Sequence, residues 1–172
     1  MPFDTQPTLI GDRLQLRPLC AEDRATLFKV ASDPFIWEQH PVTNRHEQSV
    51  FSAFFHDSLN SGGALVAVDR KTGSVIGSSR YHGYNEVISE IEIGWTFLAR
   101  SYWGGLYNGE MKRLMLQHAF RFVESVVLLV GPENQRSQRS VEKIGGVLDG
   151  GRSDASGLES YLYRIKASDY VT

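Results

Sequence analysis

From Glu90 to Leu98 apolar and polar residues alternate. Ile91, Ile93, Trp95 and Phe97 interleave with Glu90, Glu92, Gly94 and Thr96. Successive side chains of an extended chain point to opposite faces, so this pattern predicts a half-buried strand over Glu86–Leu98. Downstream the period changes. Tyr107, Met111, Leu114, His118 and Phe122 recur at intervals of three and four, which marks one face of an amphipathic helix. Between the two lies RSYWGGLYNGE, Arg100–Glu110, with a glycine pair at Gly104-Gly105.

The rest of the chain reads in the same way. Leu14 and Leu16 alternate with Arg13, Gln15 and Arg17, so Leu9–Leu19 is a first strand. Ala21–Ser32 is a helix with Glu22 and Asp23 in its first turn, ended by Asp33-Pro34. After an aromatic segment, Phe35–Thr43, a second helix runs from Arg45 to Leu59 with Val50, Phe51, Phe54, Phe55 and Leu59 on one side. Ala64–Asp69 and Ser74–Tyr81 form a hairpin around Arg70-Lys71-Thr72-Gly73, and His82–Asn85 is a connecting loop. Ser125–Val130 is a continuous apolar run, the pattern of a strand covered on both faces. Asn134–Ile144 is a short helix stopped by Gly145-Gly146. Val147–Arg152 and Glu159–Ile165 are two more strands, separated by Ser153–Gly157. The order β-α-α-β-β-β-α-β-α-β-β predicts an α+β fold with about four helices. Its one strand–helix–strand unit makes the sheet of six to seven strands mixed but mostly antiparallel.

Composition narrows the possibilities. A length of 172 residues suits one domain spanning 1–172, and 41% hydrophobic with 22% charged residues is ordinary for a globular chain. A formal net charge of −2 argues against a dedicated nucleic-acid binder. One cysteine rules out an intrachain disulfide, and five histidines without an HxxxH pair give no reason to expect a metal. No apolar run reaches the length of a membrane span and no signal segment is visible, so no membrane partner is expected and the reading is cytoplasmic.

Two features carry candidate chemistry. A glycine pair between a strand and a helix allows close backbone approach and leaves the first helical N–H groups free for an anion, although the same pair also serves as a plain turn. ATP is disfavoured as that anion because the turn lacks a G-K-[ST] ending. Glu90 and Glu92 project from one face of the strand, where each raises the other's pKa and suits one of them for proton abstraction. Their ordinary reading is a pair of solvated acids, with Arg80 as a partner across the hairpin. Asn134 is a good helix N-cap after Pro132-Glu133.

Four segments together resemble the GNAT superfamily of acyl-CoA N-acyltransferases, in particular the branch that contains the ribosomal-protein N-terminal acetyltransferases. They are the opening LIGDRLQLRPLCAED, EIGW at Glu92–Trp95, YWGGLYNGEMKRLMLQHAF at Tyr102–Phe120, and NQRSQRSVEKIGG at Asn134–Gly146. The resemblance implies acetyl-CoA as acyl donor, lying where the strands matching Glu86–Leu98 and Ser125–Val130 splay apart. It places the pyrophosphate over the backbone of Trp103, Gly104, Gly105, Leu106, Tyr107 and Asn108. Asn134 and Ser137 would meet the pantetheine arm, Arg139 and Lys143 the 3′-phosphate, and the backbone near Trp95 the oxyanion. Ser101 and Leu106 depart from the family's turn, and Val141 stands where some members carry a Tyr that protonates the thiolate; Tyr107 or a water would then serve.

The implied reaction is direct attack of a primary amine, at a protein or peptide N-terminus or on a small molecule, through a tetrahedral intermediate. Glu92 is the first choice for the base and Glu90 the second. Trp37, His40 and Tyr84 would wall the acceptor cleft, with Phe35–His46, the second helix and the Ser153–Gly157 turn setting its selectivity. A noncatalytic acyl-CoA-binding module is the alternative on the same fold, and a homodimer is compatible with either.

Overall fold

The first predicted strand folds back on itself. Leu9–Ile10 (β1) and Leu14–Pro18 (β2) pair antiparallel, with Leu9 opposite Leu16, across a turn closed by the Gly11 N–H and the Leu14 carbonyl. That split gives the sheet eight strands rather than six to seven among the residues the computed structural model describes, which are 2–153 and 157–170. The remaining strands are Ala64–Asp69 (β3), Val75–Asn85 (β4), Glu90–Leu98 (β5), Ser125–Val130 (β6), Val147–Ser153 (β7) and Glu159–Lys166 (β8). The helices are Arg24–Ala31 (α1), Gln48–Ser61 (α2), Tyr107–Ala119 (α3) and Gln135–Lys143 (α4). The strand order is β1-β2-β3-β4-β5-β6-β8-β7, antiparallel except where β5 meets β6.

Two hydrophobic layers cover the sheet. Beneath α3 and α4, Leu14, Leu16, Leu65, Ile91, Ile93, Met111, Met115, Val126 and Val141 form one core. On the opposite face Leu27, Trp37, Phe51, Phe54, Phe55, Val66 and Phe97 form the other, under α1 and α2. Strand β5 serves both: Ile91 and Ile93 lie in the first core, and after a bulge at Trp95–Thr96 reverses the faces Phe97 lies in the second and Leu98 in the first.

Strands β4 and β5 depart from expectation at their shared turn. Strand β4 continues through the predicted loop to Asn85, whose Oδ1 accepts the N–H groups of Val87 and Ile88. An Asx turn of this kind reverses the chain, so β5 begins at Glu90 rather than Glu86.

The consequential feature is a wedge inside the sheet. Parallel pairing of β5 with β6 is confined to Glu90–Ser125, Ile91–Val126 and Glu92–Val127. Beyond Glu92 a bulge interrupts β5: Ser78 pairs with Phe97 and Arg80 with Gly94, so Trp95 and Thr96 stand opposite Ser79 alone. Trp95 adopts φ 52°, a left-handed conformation that a bulky residue holds only when its surroundings impose it. From there the edges of β5 and β6 diverge, while β6 stays paired along its other side with β8 as far as Val130–Tyr161.

Candidate active site

Strand β5 ends beside the glycine turn, and the turn supplies free donors. The first backbone bond of α3 runs from the Glu110 N–H to the Leu106 carbonyl. Among the described residues no protein acceptor meets any backbone N–H from Gly104 to Gly109. Gly104 has φ 70°, and a Cβ built on Gly104, Gly105 or Gly109 meets no atom within 4 Å. Six consecutive free N–H groups at a helix N-terminus, with open space beside three of the residues, fit an anionic group. Leu106 is 62% exposed and takes no part in the core.

The side chains around the turn are fixed by other partners. Trp103 donates its indole N–H to the Leu98 carbonyl at 2.9 Å, and the Arg136 guanidinium lies 3.9 Å from its ring centroid. Tyr107 donates to Asp69 at 3.3 Å beside Tyr102, so its proton is not directed to a thiolate. Asn108 donates to Ser140 at 2.7 Å and thereby ties α3 to α4. On α4, the Asn134 Oδ1 accepts the Ser137 N–H, which is the capping role; its Nδ2 donates to no described residue. Arg139 and Lys143 are exposed and form no ion pair among the described residues.

The two glutamates part company. Glu90 is buried, accepts from Arg164 at 2.7 Å and is ion-paired with Arg152 at 3.4 Å. With both oxygens engaged by guanidiniums it fastens β5 to β7 and β8, and that engagement takes it out of contention as a base. Glu92 lies on the last paired rung before the wedge opens, half-buried, with no hydrogen bond or ion pair to any described residue. Burial pushes its pKa up to about 7 against the pull of Arg152 and Arg80, with Glu90 adding to the rise.

The segment before α2 crosses the wedge. A Cβ on Gly131, at the end of β6, would lie 2.6 Å from Pro41 Cγ, so the segment rests against that strand. Arg136 holds it from the other side, donating to the Ile36 carbonyl at 2.9 Å and, through its backbone N–H, to Gln39. Trp37 is 1% exposed, its indole N–H given to Ala31, and forms a floor rather than a wall. His40 stands edge-on to Trp37, and its Nδ1 accepts the Val42 N–H. Burial, with Arg45 and Arg136 nearby, holds its pKa near 4, so it is neutral at pH 7. Tyr84 does not join them. A bulge at Gly83 (φ 68°) turns it to the opposite face of the sheet, where its ring centroid lies 5.7 Å from that of Phe3. Most of the Ser153–Gly157 turn, also expected to shape this cleft, lies outside the described residues.

Lys112 was not among the expected site residues. It is 6% exposed and donates to Thr96 Oγ1 at 2.6 Å; Thr96 Oγ1 lies 2.8 Å from Ser79 Oγ, directly across the bulge. The signal lay in the helical spacing, because Lys112 sits three and four positions before buried Met115 and Leu116. Burial lowers its pKa to about 7. Above that pH the unfolded chain binds a proton here that the folded chain does not, so stability rises with pH from about 7 toward the ordinary lysine range. Lys112→Met should flatten this rise between about pH 7 and about pH 9, read as the thermal midpoint against pH. Parallel slopes for the two proteins would overturn the assignment.

Residues 13–147 match the model of the acetyltransferase (GNAT) domain family. No curated protein matches the chain. Among solved structures, a GCN5-related N-acetyltransferase from Brucella melitensis superposes with a TM-score of 0.84 at 18% identity, over 96% of this chain and 80% of that one. A GNAT-family acetyltransferase from Bacillus anthracis gives 0.77 at 20% identity, over 95% and 100% of the two chains. RimJ from Mycobacterium smegmatis, solved in complex with CoA-disulfide, gives 0.74 at 18% identity, over 96% and 90%. At these identities the structures speak for the fold, while the family match covers most of the sequence. The chain belongs to the GNAT family and is an acetyl-CoA-dependent acetyltransferase.

Proposed function

We propose that the chain transfers the acetyl group to a primary amine by direct attack, with Glu92 as the proton acceptor. The acceptor is a protein or peptide N-terminus, as in the branch its motifs resemble, or a small amine. One observation carries the reading: an unpaired, half-buried carboxylate sits at the apex of the wedge with its pKa raised to about 7. A base of that strength takes a proton from an ammonium at neutral pH more readily than an ordinary glutamate. Acetyl-CoA supplies an activated acyl thioester. The protein would hold its pyrophosphate on the N–H groups of Gly104–Gly109, its pantetheine arm on the free Nδ2 of Asn134, and the oxyanion on the backbone at the Trp95 bulge.

The decisive test is release of CoA from acetyl-CoA across a panel of primary amines, with the acetylated amine identified by mass. If acetyl-CoA binds and no amine is acetylated, the reading fails. The turn has its own check. A side chain at Gly105 meets no protein atom, so Gly105→Val should leave the fold within about 0.5 kcal/mol of the wild type. It projects into the space assigned to the phosphates, and acetyl-CoA affinity should fall about 100-fold by calorimetry. Unchanged affinity would move the pyrophosphate elsewhere.

A further inference from the structure

The aromatic cluster around Trp95 holds more positive charge than the protein answers. Arg45, in the segment leading to α2, places its guanidinium carbon 4.5 Å from the Phe54 ring centroid and 5.3 Å from that of Trp37. Arg80 on β4 lies 5.9 Å from the same Phe54 centroid and 4.2 Å from that of Trp95. Arg80 is 3% exposed. It donates to Asp57 at 3.1 Å and to Ser58 at 2.6 Å, yet its Nε has no acceptor. Arg45 makes no hydrogen bond or ion pair with any described residue, and its buried Nε is likewise without an acceptor.

The nearby acids do not close this account. Asp57 attracts both guanidiniums, but its side chain is 71% exposed and it touches Arg80 alone. Glu92 attracts Arg80 without contacting it. His40 is neutral and adds no charge of either sign. Burial and the neighbouring Arg80 bring the Arg45 pKa down to about 10, so it remains a cation at neutral pH. A guanidinium taken out of water is costly unless an anion and hydrogen bonds replace the solvent. Arg45 has the enclosure without the anion.

We propose that Arg45 and Arg80 bind a carboxylate carried by the amine acceptor, which makes the substrate an amino acid or a peptide with an acidic first residue. This rests on the amine-acetyltransferase reading above. Arg80 faces Gly94 across the strand pair and His82 faces Glu92, so the arginine and the candidate base occupy successive places on one face of the sheet. An acceptor held by its carboxylate therefore presents an amine a few atoms away toward Glu92 and the wedge. The rings of Trp37, Phe54 and Trp95 exclude water from the guanidiniums, which strengthens a charge-assisted pair there.

The experiment compares matched acceptors with acetyl-CoA as donor. One pair is alanine against alaninamide, and the other is Glu-Ala-Ala-amide against Gln-Ala-Ala-amide; the pairs separate a free amino acid from an acidic peptide terminus. In at least one pair the carboxylated member should lead by about 100-fold or more in kcat/KM. Arg45→Met should bring that ratio within about 3-fold of unity, and Arg45→Lys should keep part of it. The inference is overturned if the neutral members are used as well or better, or if Arg45→Met slows both members alike. Should no amine be acetylated, the amine-transfer reading fails and the pocket is judged by binding. Succinate titrated against the intrinsic tryptophan fluorescence, to which Trp37 and Trp95 contribute beside Trp103, should give a saturable change that Arg45→Met abolishes. No saturable change, or the same change in the variant, overturns the carboxylate site as well.

Discussion

Glu92→Gln is expected to lower kcat/KM for amine acetylation by about 10²- to 10⁴-fold, the usual worth of a positioned general base, while acetyl-CoA still binds. The amide matches the carboxylate in shape and cannot take a proton. Because burial raises the Glu92 pKa to about 7, the base is half-formed at neutrality. The wild-type rate should therefore climb with pH through about 7 and level off as the carboxylate forms, and the variant should lack that inflection. Arg152 and Arg80 oppose the rise, so removing Arg152 should move the inflection to higher pH. Rates and isothermal binding measured on the same preparations separate the two effects. A glutamine variant retaining a third of the activity would return the proton to a water chain.

Glu110→Ala should produce the largest loss of stability. The Glu110 side chain is almost completely buried, and its Oε2 accepts the backbone N–H groups of Arg13 and Leu14 at 2.8 Å each. Those donors belong to the turn between β1 and β2, so one carboxylate pins the sheet edge onto α3. Gly11 is required beside it, because a Cβ there would stand 2.6 Å from the same oxygen. Alanine leaves the buried Leu14 donor and the part-buried Arg13 donor without acceptors, a penalty of about 1–3 kcal/mol for the buried one and less for the other. The expected total of about 2–4 kcal/mol is a large part of the ~5–15 kcal/mol that holds a typical domain folded. Glu110→Gln keeps one oxygen able to accept both bonds and should lose about half as much. Urea denaturation of the three proteins reads the order directly. An alanine variant within about 1 kcal/mol of wild type would mean that water replaces the carboxylate.

What could be read ahead of the fold followed from local periodicity. Ala64–Asp69 and Ser125–Val130 are strands with the expected boundaries because buried strands are continuous apolar runs with sharp ends. The unbonded N–H groups of the glycine turn could be anticipated because a glycine pair followed by a helix is plain in the sequence. The split of the first strand was missed because the alternation around Leu14 and Leu16 says nothing about where the preceding residues reverse. The ion pairs of Glu90 were out of sight for a different reason. Its partners Arg152 and Arg164 lie 62 and 74 residues away, and only the pairing of β6 with β8 and β8 with β7 brings them back. Tyr84 depended on a one-residue bulge, which flips every later side chain to the other face. The orphan guanidinium of Arg45 is recognisable only once its missing partner can be looked for in three dimensions.

Glu90 has a mechanical meaning. With three rungs between β5 and β6, the sheet behaves as two plates joined along a short seam: β1–β5 on one side, β6, β8 and β7 on the other. Opening torque on such a joint concentrates at the apex, the Glu92–Val127 rung. Behind that apex, on the Glu90–Ser125 rung, the chain places a carboxylate from one plate between two guanidiniums of the other, so the short seam is backed by ion pairs at its far end. The aperture is thus set by charge as well as by backbone, and the slot can stay open without the sheet tearing further.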